Sequence, residues 1–107
     1  MIEVTHRTDG RAMHVLLNRP KANILDAAMI GSIELALKSQ VRESTCLIVF
    51  EGAGDHFCFG ASVEEHRVEE AAAMLEAFHG LFRTLAALAV PTCAVVRGQC
   101  LGGGLEL

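Results

Sequence analysis

Glu106 stands two residues after three consecutive glycines, near the end of the run V-V-R-G-Q-C-L-G-G-G-L-E-L (Val95 to Leu107). Glycine has no Cβ, so a triplet leaves peptide N–H groups open to close approach by a ligand oxygen, at an entropic cost that an ordinary turn does not demand. Where such a run opens a helix, the first N–H donors lack intrahelical partners and the helix dipole turns its positive end towards them, which suits an anion. Bound phosphate is one candidate. It is the weaker one, because no Lys-Ser/Thr pair follows the glycines and the order G-x-G-x-x-G is absent. An oxyanion formed during a reaction is the other, and Glu106 would then act as acid or base on the same substrate. On local sequence alone, a carboxylate between Leu105 and Leu107 is more commonly a polar residue on a solvated helix face.

A second loop, F-C-F-G-A-S-V-E-E-H (Phe57 to His66), brings Gly60 and Ala61 after an apolar run. Its glycine is equally readable as a tight turn. Lys21 reads locally as an ordinary loop lysine. His56, Cys58 and His66 show neither H-x-x-x-H nor C-x-x-C spacing, so no metal is expected and the histidines read as loop and helix-surface residues. Cys100, beside the glycines, lacks the neighbouring base or cation that thiolate activation needs and reads as packing. Cys46, Cys58, Cys93 and Cys100 all lie in or beside apolar runs, which favours buried reduced thiols over disulfides or zinc.

The elements that must position these loops alternate between strands and helices. Ile2 to Thr8 alternates apolar and polar residues, Asp9-Gly10 signals a hairpin turn, and Met13 to Leu17 completes a β-hairpin. Asn18-Arg19-Pro20 breaks it. Asp26 is the expected N-cap of a helix whose apolar residues Met29, Ile30, Ile33, Leu37 and Val41 recur at helical spacing. Cys46 to Phe50 is a continuous apolar run, the pattern of a strand covered on both faces. Glu69 to Leu88 predicts a second amphipathic helix with Ala72, Leu75, Phe78, Phe82, Leu85 and Leu88 on its apolar side. Pro91 closes that connection, and Cys93 to Val96 predicts the last strand. This is an α/β pattern with parallel strands, in which right-handed crossovers put both glycine loops at the C-terminal ends of neighbouring strands, where open α/β sheets bind ligands.

Composition narrows the function classes. A chain of 107 residues that is 51% hydrophobic can build one core and has no room for a second domain. Its net charge of −4 and only nine basic residues, scattered along the chain, argue against nucleic acid. No signal peptide or apolar run of membrane-spanning length is visible, so the expectation is a cytoplasmic protein that does not bind membranes. The helix opening at Gly102 or Gly103 has neither room to run nor a C-cap before Leu107, so 1–107 is expected to be an incomplete segment of a single domain.

Taken together, three segments resemble the crotonase (enoyl-CoA hydratase/isomerase) superfamily, in the family's own order. G-Q-C-L-G-G-G-L-E-L is similar to its G-x-x-x-G-G-G-x-E-L signature, L-N-R-P-K-A-N-I-L (Leu17 to Leu25) to its N-R-P…N-A-L segment, and F-C-F-G-A-S-V to its F-x-x-G-A-D-[IL] loop. The resemblance implies the N-terminal portion of an α/β crotonase (ClpP/crotonase-like) fold with its ββα-unit core. It implies an oxyanion hole from the N–H groups of Ala61 and Gly103, and a catalytic glutamate at Glu106. It further implies an acyl-CoA site lined by Lys21, Ala22, Ile24, Phe59, Gly60, Ala61, Ser62, Val63, Gly102 and Gly103. Coenzyme A thioester would be the substrate, with no metal or separate cofactor, and a homo-oligomer, a trimer or dimer of trimers, the assembly.

The expected reaction is addition of water to an α,β-unsaturated CoA thioester through an enolate; one oxyanion donor is typically worth roughly 2.7 to 4 kcal/mol of barrier. Two departures from the family pattern stand out. Ser62 replaces the common aspartate, and Glu64-Glu65-His66 stands where a basic residue often meets a CoA phosphate. G-A-S-V-E-E-H is similar to the segment of the family's cyclic dienoyl-CoA hydratases. The family's second hydratase glutamate lies beyond the part that this chain resembles. An enoyl-CoA isomerase relative and a catalytically silent binding or assembly module are the alternative readings.

Overall fold

The computed structural model describes residues 1–20, 23–60 and 68–107, with the side chains of 68–70 outside the description. The chain opens as the expected hairpin. β1 (Ile2–Arg7) pairs antiparallel with β2 (Ala12–Leu17), with Ile2 opposite Leu17 and Arg7 opposite Ala12. Thr8, Asp9 and Gly10 all take positive φ in the connection. β2 then alternates as a strand with one core face should, burying Met13, Val15 and Leu17 completely.

Asp26 caps α1 (Ala27–Gln40) as its position predicts, accepting the Met29 N–H at 2.9 Å. The helix buries Met29, Ile30, Ile33, Ala36 and Leu37, of which the four larger side chains are each worth about 1.5–3 kcal/mol. Val41, expected in the helical stripe, is instead the extended C-cap residue, although it still packs against the core.

β3 (Leu47–Gly52) lies parallel to β2, and β4 (Thr92–Val95) lies parallel to β3, giving one four-stranded sheet in the order β1-β2-β3-β4. α1 connects β2 to β3, and α2 (Val68–Leu88) connects β3 to β4. β3 buries Ile48, Val49 and Phe50 in succession, so both of its faces are covered. β4 is exposed at all four positions. It is a sheet edge among the described residues, paired only on its β3 side.

α2 packs on α1 through a face that keeps Phe78, Phe82, Leu85 and Leu88 of the expected stripe but takes Met74 in place of Ala72 and Leu75. Met74, Phe78 and Leu81 are buried, with Ala77, Phe82, Leu85 and Leu88 partly so, whereas Ala72 is exposed and Leu75 is 49% exposed. The spacing 74, 78, 81 is as helical as the predicted stripe, and contact with the core selects it. The cysteines also depart from expectation. All four are free, but only Cys58 is buried; Cys46 and Cys93 are exposed and Cys100 is half-buried. Cys46 precedes β3 and Cys93 lies on the uncovered edge strand, so neither apolar run hides its thiol. Among the described residues, no helix is long and apolar enough to cross a membrane.

Candidate active site

The loops that leave β3 and β4 run side by side. The N–H groups of Phe57 and Cys58 donate to the Gln99 carbonyl at 3.1 and 3.2 Å, Leu101 N–H donates to the Cys58 carbonyl at 3.0 Å, and Cys58 and Cys100 form an isolated parallel bridge. Two side chains hold this register. Arg97 donates to Glu51 Oε2 at 2.8 Å and to the Gly52 carbonyl at 3.0 Å. His56 Nδ1 accepts Gln99 N–H at 2.9 Å, so a histidine expected to be a plain loop residue fixes the approach of the glycine segment.

Asn23 ties in the segment after β2. It is buried with φ at +54°; its Nδ2 donates to the Phe57 carbonyl at 3.0 Å and its Oδ1 accepts Arg19 N–H at 2.8 Å. Cys58 Sγ donates to the Asn23 carbonyl at 3.0 Å and accepts Gly60 N–H at 3.3 Å. Burial pushes the Cys58 thiol up; the Gly60 hydrogen bond opposes this and nearby Cys100 adds to it. Beside this knot, Arg19 pairs with Asp26. Partial burial alone would raise the Asp26 pKa, but hydrogen bonds from Arg19 and Met29 N–H, with the Arg19 charge, outweigh it and hold the carboxyl below its usual range.

The glycines let the two loops touch. Gly60 has φ at +98°, and a Cβ there would lie 2.7 Å from the Leu101 carbonyl oxygen and 3.2 Å from Gly103 N. Gly102 adopts φ 49°, ψ −118° as it enters the short helix α3 (Gly103–Glu106). A Cβ on Gly103 would meet the tip of the Phe78 ring at 2.3 Å, and one on Gly104 would meet the Cys58 carbonyl oxygen at 2.5 Å. Gly104 N–H donates to Leu101 O and Glu106 N–H to Gly102 O, while Gly103 N–H donates to no acceptor among the described residues.

A cavity of about 350 Å³ opens at this junction. The loops contribute Phe59, Gly102, Gly103 and Glu106; α2 contributes Met74, Leu75, Phe78 and His79. Four of the candidates from sequence therefore share one wall. Gly60 is buried against the glycine segment, and Ile24 is half-buried next to Leu25, whose N–H donates to the Gly60 carbonyl at 2.8 Å, without lining the cavity. Lys21, Ala22, Ala61, Ser62 and Val63 lie outside the described residues, so the proposed Ala61 donor, like His66, has no described position. Glu106 is exposed, and its carboxylate is engaged by no hydrogen bond or ion pair among the described residues. The α2 wall was not read from sequence. Leu75 belonged to the predicted apolar stripe, but only knowing which face the core takes shows that Leu75 and His79, four residues apart, turn to the cavity.

Parallel strands joined by helices, with paired glycine loops and an acid at their carboxyl ends, define a class, and comparison with known proteins agrees: residues 8–107 match the enoyl-CoA hydratase/isomerase family, to which this chain belongs. Among its relatives, it is 43% identical over 107 residues to the cyclohexa-1,5-dienecarbonyl-CoA hydratase of Thauera aromatica, covering 99% of this chain and 42% of that protein. It is 35% identical over 107 residues to the enoyl-CoA isomerase/hydratase claC of Penicillium crustosum, covering 92% of this chain and 12% of that protein. Its fold superposes on the enoyl-CoA hydratase of Bacillus anthracis with a TM-score of 0.87 at 27% identity, over 98% of this chain and 43% of that one. The chain thus has the crotonase fold and spans less than half the length of these relatives.

Proposed function

We propose that this chain is the N-terminal segment of a single-domain acyl-CoA enzyme that adds water to an α,β-unsaturated CoA thioester, with a cyclic dienoyl-CoA as the favoured substrate. The observation that carries this reading is the shared cavity wall, in which the Gly103 N–H, donating to no acceptor among the described residues, and the Glu106 carboxylate stand together at the contact of the two glycine loops. In the proposed reaction, water attacks the carbon β to the thioester while Glu106 takes its proton, and negative charge moves onto the thioester oxygen. Fixed N–H donors from Gly103 and Ala61 stabilise that charge more than they stabilise the ground state. Lys21, Ala22, Ile24, Phe59, Gly60, Ser62, Val63 and Gly102 complete the acyl-CoA surface in this reading. The dienoyl choice is supported by the 43% identity to the Thauera hydratase. No metal enters the scheme, and a cytoplasmic homo-oligomer, trimeric or a dimer of trimers, is the proposed assembly.

Proton transfer by a positioned side chain contributes about 10²–10⁴-fold. Glu106→Gln keeps the shape and removes the base, so in the protein as its gene encodes it, hydration of crotonyl-CoA or a cyclic dienoyl-CoA should fall by about that factor while calorimetric binding changes little. Near-native turnover of the variant on both thioesters would overturn the reading. An isomerase is the second reading, favoured by the Penicillium relative named for both activities; a product with a moved double bond and no added water would identify it.

A further inference from the structure

We infer that Phe78 is a positioning residue: the tip of its ring is the stop that fixes the peptide plane carrying the Gly103 N–H. This rests on the hydration reading above, in which that N–H is an oxyanion donor. The three heavy atoms nearest to a Cβ placed on Gly103 all belong to the ring, Cζ at 2.3 Å, Cε2 at 2.8 Å and Cε1 at 3.4 Å, so the ring meets this residue end-on. With a C–C bond of about 1.5 Å, Cζ lies no more than about 3.8 Å from the Gly103 α-carbon, the separation of two carbons in van der Waals contact. The ring itself has little freedom. Phe78 is 6% exposed and belongs to the core cluster, and its ring centre lies 5.4 Å from that of Phe82 in a tilted pair.

Gly103 needs such a stop. The peptide plane that carries its N–H has glycine at both ends, which gives it the widest freedom to rock or flip. At the Gly102 end no atom of the described residues lies within 4 Å of a would-be Cβ. The Gly102 oxygen accepts Leu105 N–H at 3.0 Å and Glu106 N–H at 3.1 Å, which aims the N–H of this trans plane away from α3. Carbonyl oxygens accept over a broad range of directions, so those two bonds tether the plane without fixing its tilt. On the β3 side, the Gly103 nitrogen would lie 3.2 Å from a Cβ on Gly60. The Phe78 ring bears on the other end, at the α-carbon. Gly103 is thereby gripped between the β3 loop and α2, and its N–H is left at the cavity wall that Phe78, Gly103 and Glu106 share.

The rate depends on that grip. A fixed donor stabilises the developing oxyanion only at its intended place, and a misplacement of about 1 Å can cost about 100-fold. The Gly102–Gly103 plane also receives the two hydrogen bonds that set the only turn of α3, so a shift of Gly103 changes its distance from Glu106 as well. Burial in the core would satisfy a phenyl ring in any orientation. Its end-on contact with the α-carbon of one glycine, at the wall of the cavity, is what assigns Phe78 the further role.

The test compares wild type, Phe78→Met, Phe78→Leu and Glu106→Gln in the protein as its gene encodes it. Met keeps the volume in the core but replaces a rigid ring by a flexible chain, and Leu withdraws the tip. Each Phe78 variant should lower kcat by about 10- to 100-fold on both crotonyl-CoA and a cyclic dienoyl-CoA, with KM within about twofold. Circular dichroism reports folding, and Phe78→Met carries the test where Phe78→Leu does not fold. Infrared difference spectra of bound butyryl-CoA, isotopically labelled at the carbonyl carbon, give the second readout. Wild type should lower the C=O stretch from its solution value, and both variants should return it part of the way, which a loss of stability alone would not do to ligand on the folded fraction. Native kcat and an unmoved band in Phe78→Met, with Glu106→Gln inactive, would overturn the inference and leave the hydratase reading standing. A raised KM at native kcat, or a loss confined to one thioester, would also overturn it and make the ring a contact for the acyl group. A wild-type band at the solution value, with neither thioester hydrated, would sink the hydratase reading and this inference with it.

Discussion

β3 and β4 carry apolar runs of the same kind, Leu47-Ile48-Val49-Phe50 and Cys93-Ala94-Val95, and they end up in opposite environments. The first is an inner strand with Phe50 1% exposed; the second is an edge with Val95 39% exposed. The loop after each strand follows suit. The one after β3 is locked from below by Asn23 and Cys58, whereas the one after β4 is held to it through Arg97, His56 and the glycine contacts and turns its free groups to the cavity. Hydrophobicity identified two strands; what covers each depends on where the helices lie. In this chain the buried strand supplies the anchor and the open one carries the candidate chemistry.

The sharpest way to break that contrast is truncation of one residue on each strand. Phe50→Ala should cost about 3–5 kcal/mol in urea unfolding of this chain, the range for a large aromatic removed from a close-packed core. Val95→Ala should stay within about 0.5 kcal/mol, as for ordinary surface changes. Comparable losses at both sites would mean that β4 is covered after all. A smaller effect isolates the anchor below the β3 loop. Asn23→Ala leaves the Phe57 carbonyl and the Arg19 N–H without their side-chain partner and should destabilise by about 1–3 kcal/mol, the cost of leaving buried polar groups unpaired. A negligible change in the unfolding midpoint would show that the loop is held elsewhere. The gentlest probe changes no residue. Timed alkylation read by mass spectrometry should modify exposed Cys46 and Cys93 well before Cys58, whose burial both shields the sulfur and disfavours its thiolate; prompt labelling of Cys58 would mean that the anchor opens readily.

Much of this arrangement was legible in the residues. The Asp26 cap, the hairpin and the doubly covered β3 were all readable, because each rests on local chemistry or on periodicity within a single element. Leu75, Val41 and the thiols of Cys46 and Cys93 were misread for a common reason. Their environment depends on which of several apolar faces another element occupies, and one helix period fits both the 74, 78, 81 set and the one containing Leu75. The candidate site divides in the same way. Gly103 and Glu106 announced themselves through glycine cost and resemblance, but the α2 side of the cavity gave no sign until Phe78 was found against Gly103. Asn23 falls within the segment that resembles N-R-P…N-A-L, and its work as a buried clamp could not be seen without the Phe57 carbonyl it holds.

The glycine triplet imposes three separate limits on sequence drift. Position 102 has no atom of the described residues within 4 Å of a would-be Cβ, and there its backbone angles, φ 49° and ψ −118°, demand glycine. Position 103 is barred by an aromatic ring, which a compensating change at Phe78 could clear, so a coupled pair of substitutions is open to it. Position 104 is barred by the main chain of Cys58, which no substitution elsewhere removes. A saturation library across the three codons should therefore lose position 104 to misfolding, while position 103 tolerates replacement in fold before it does in turnover.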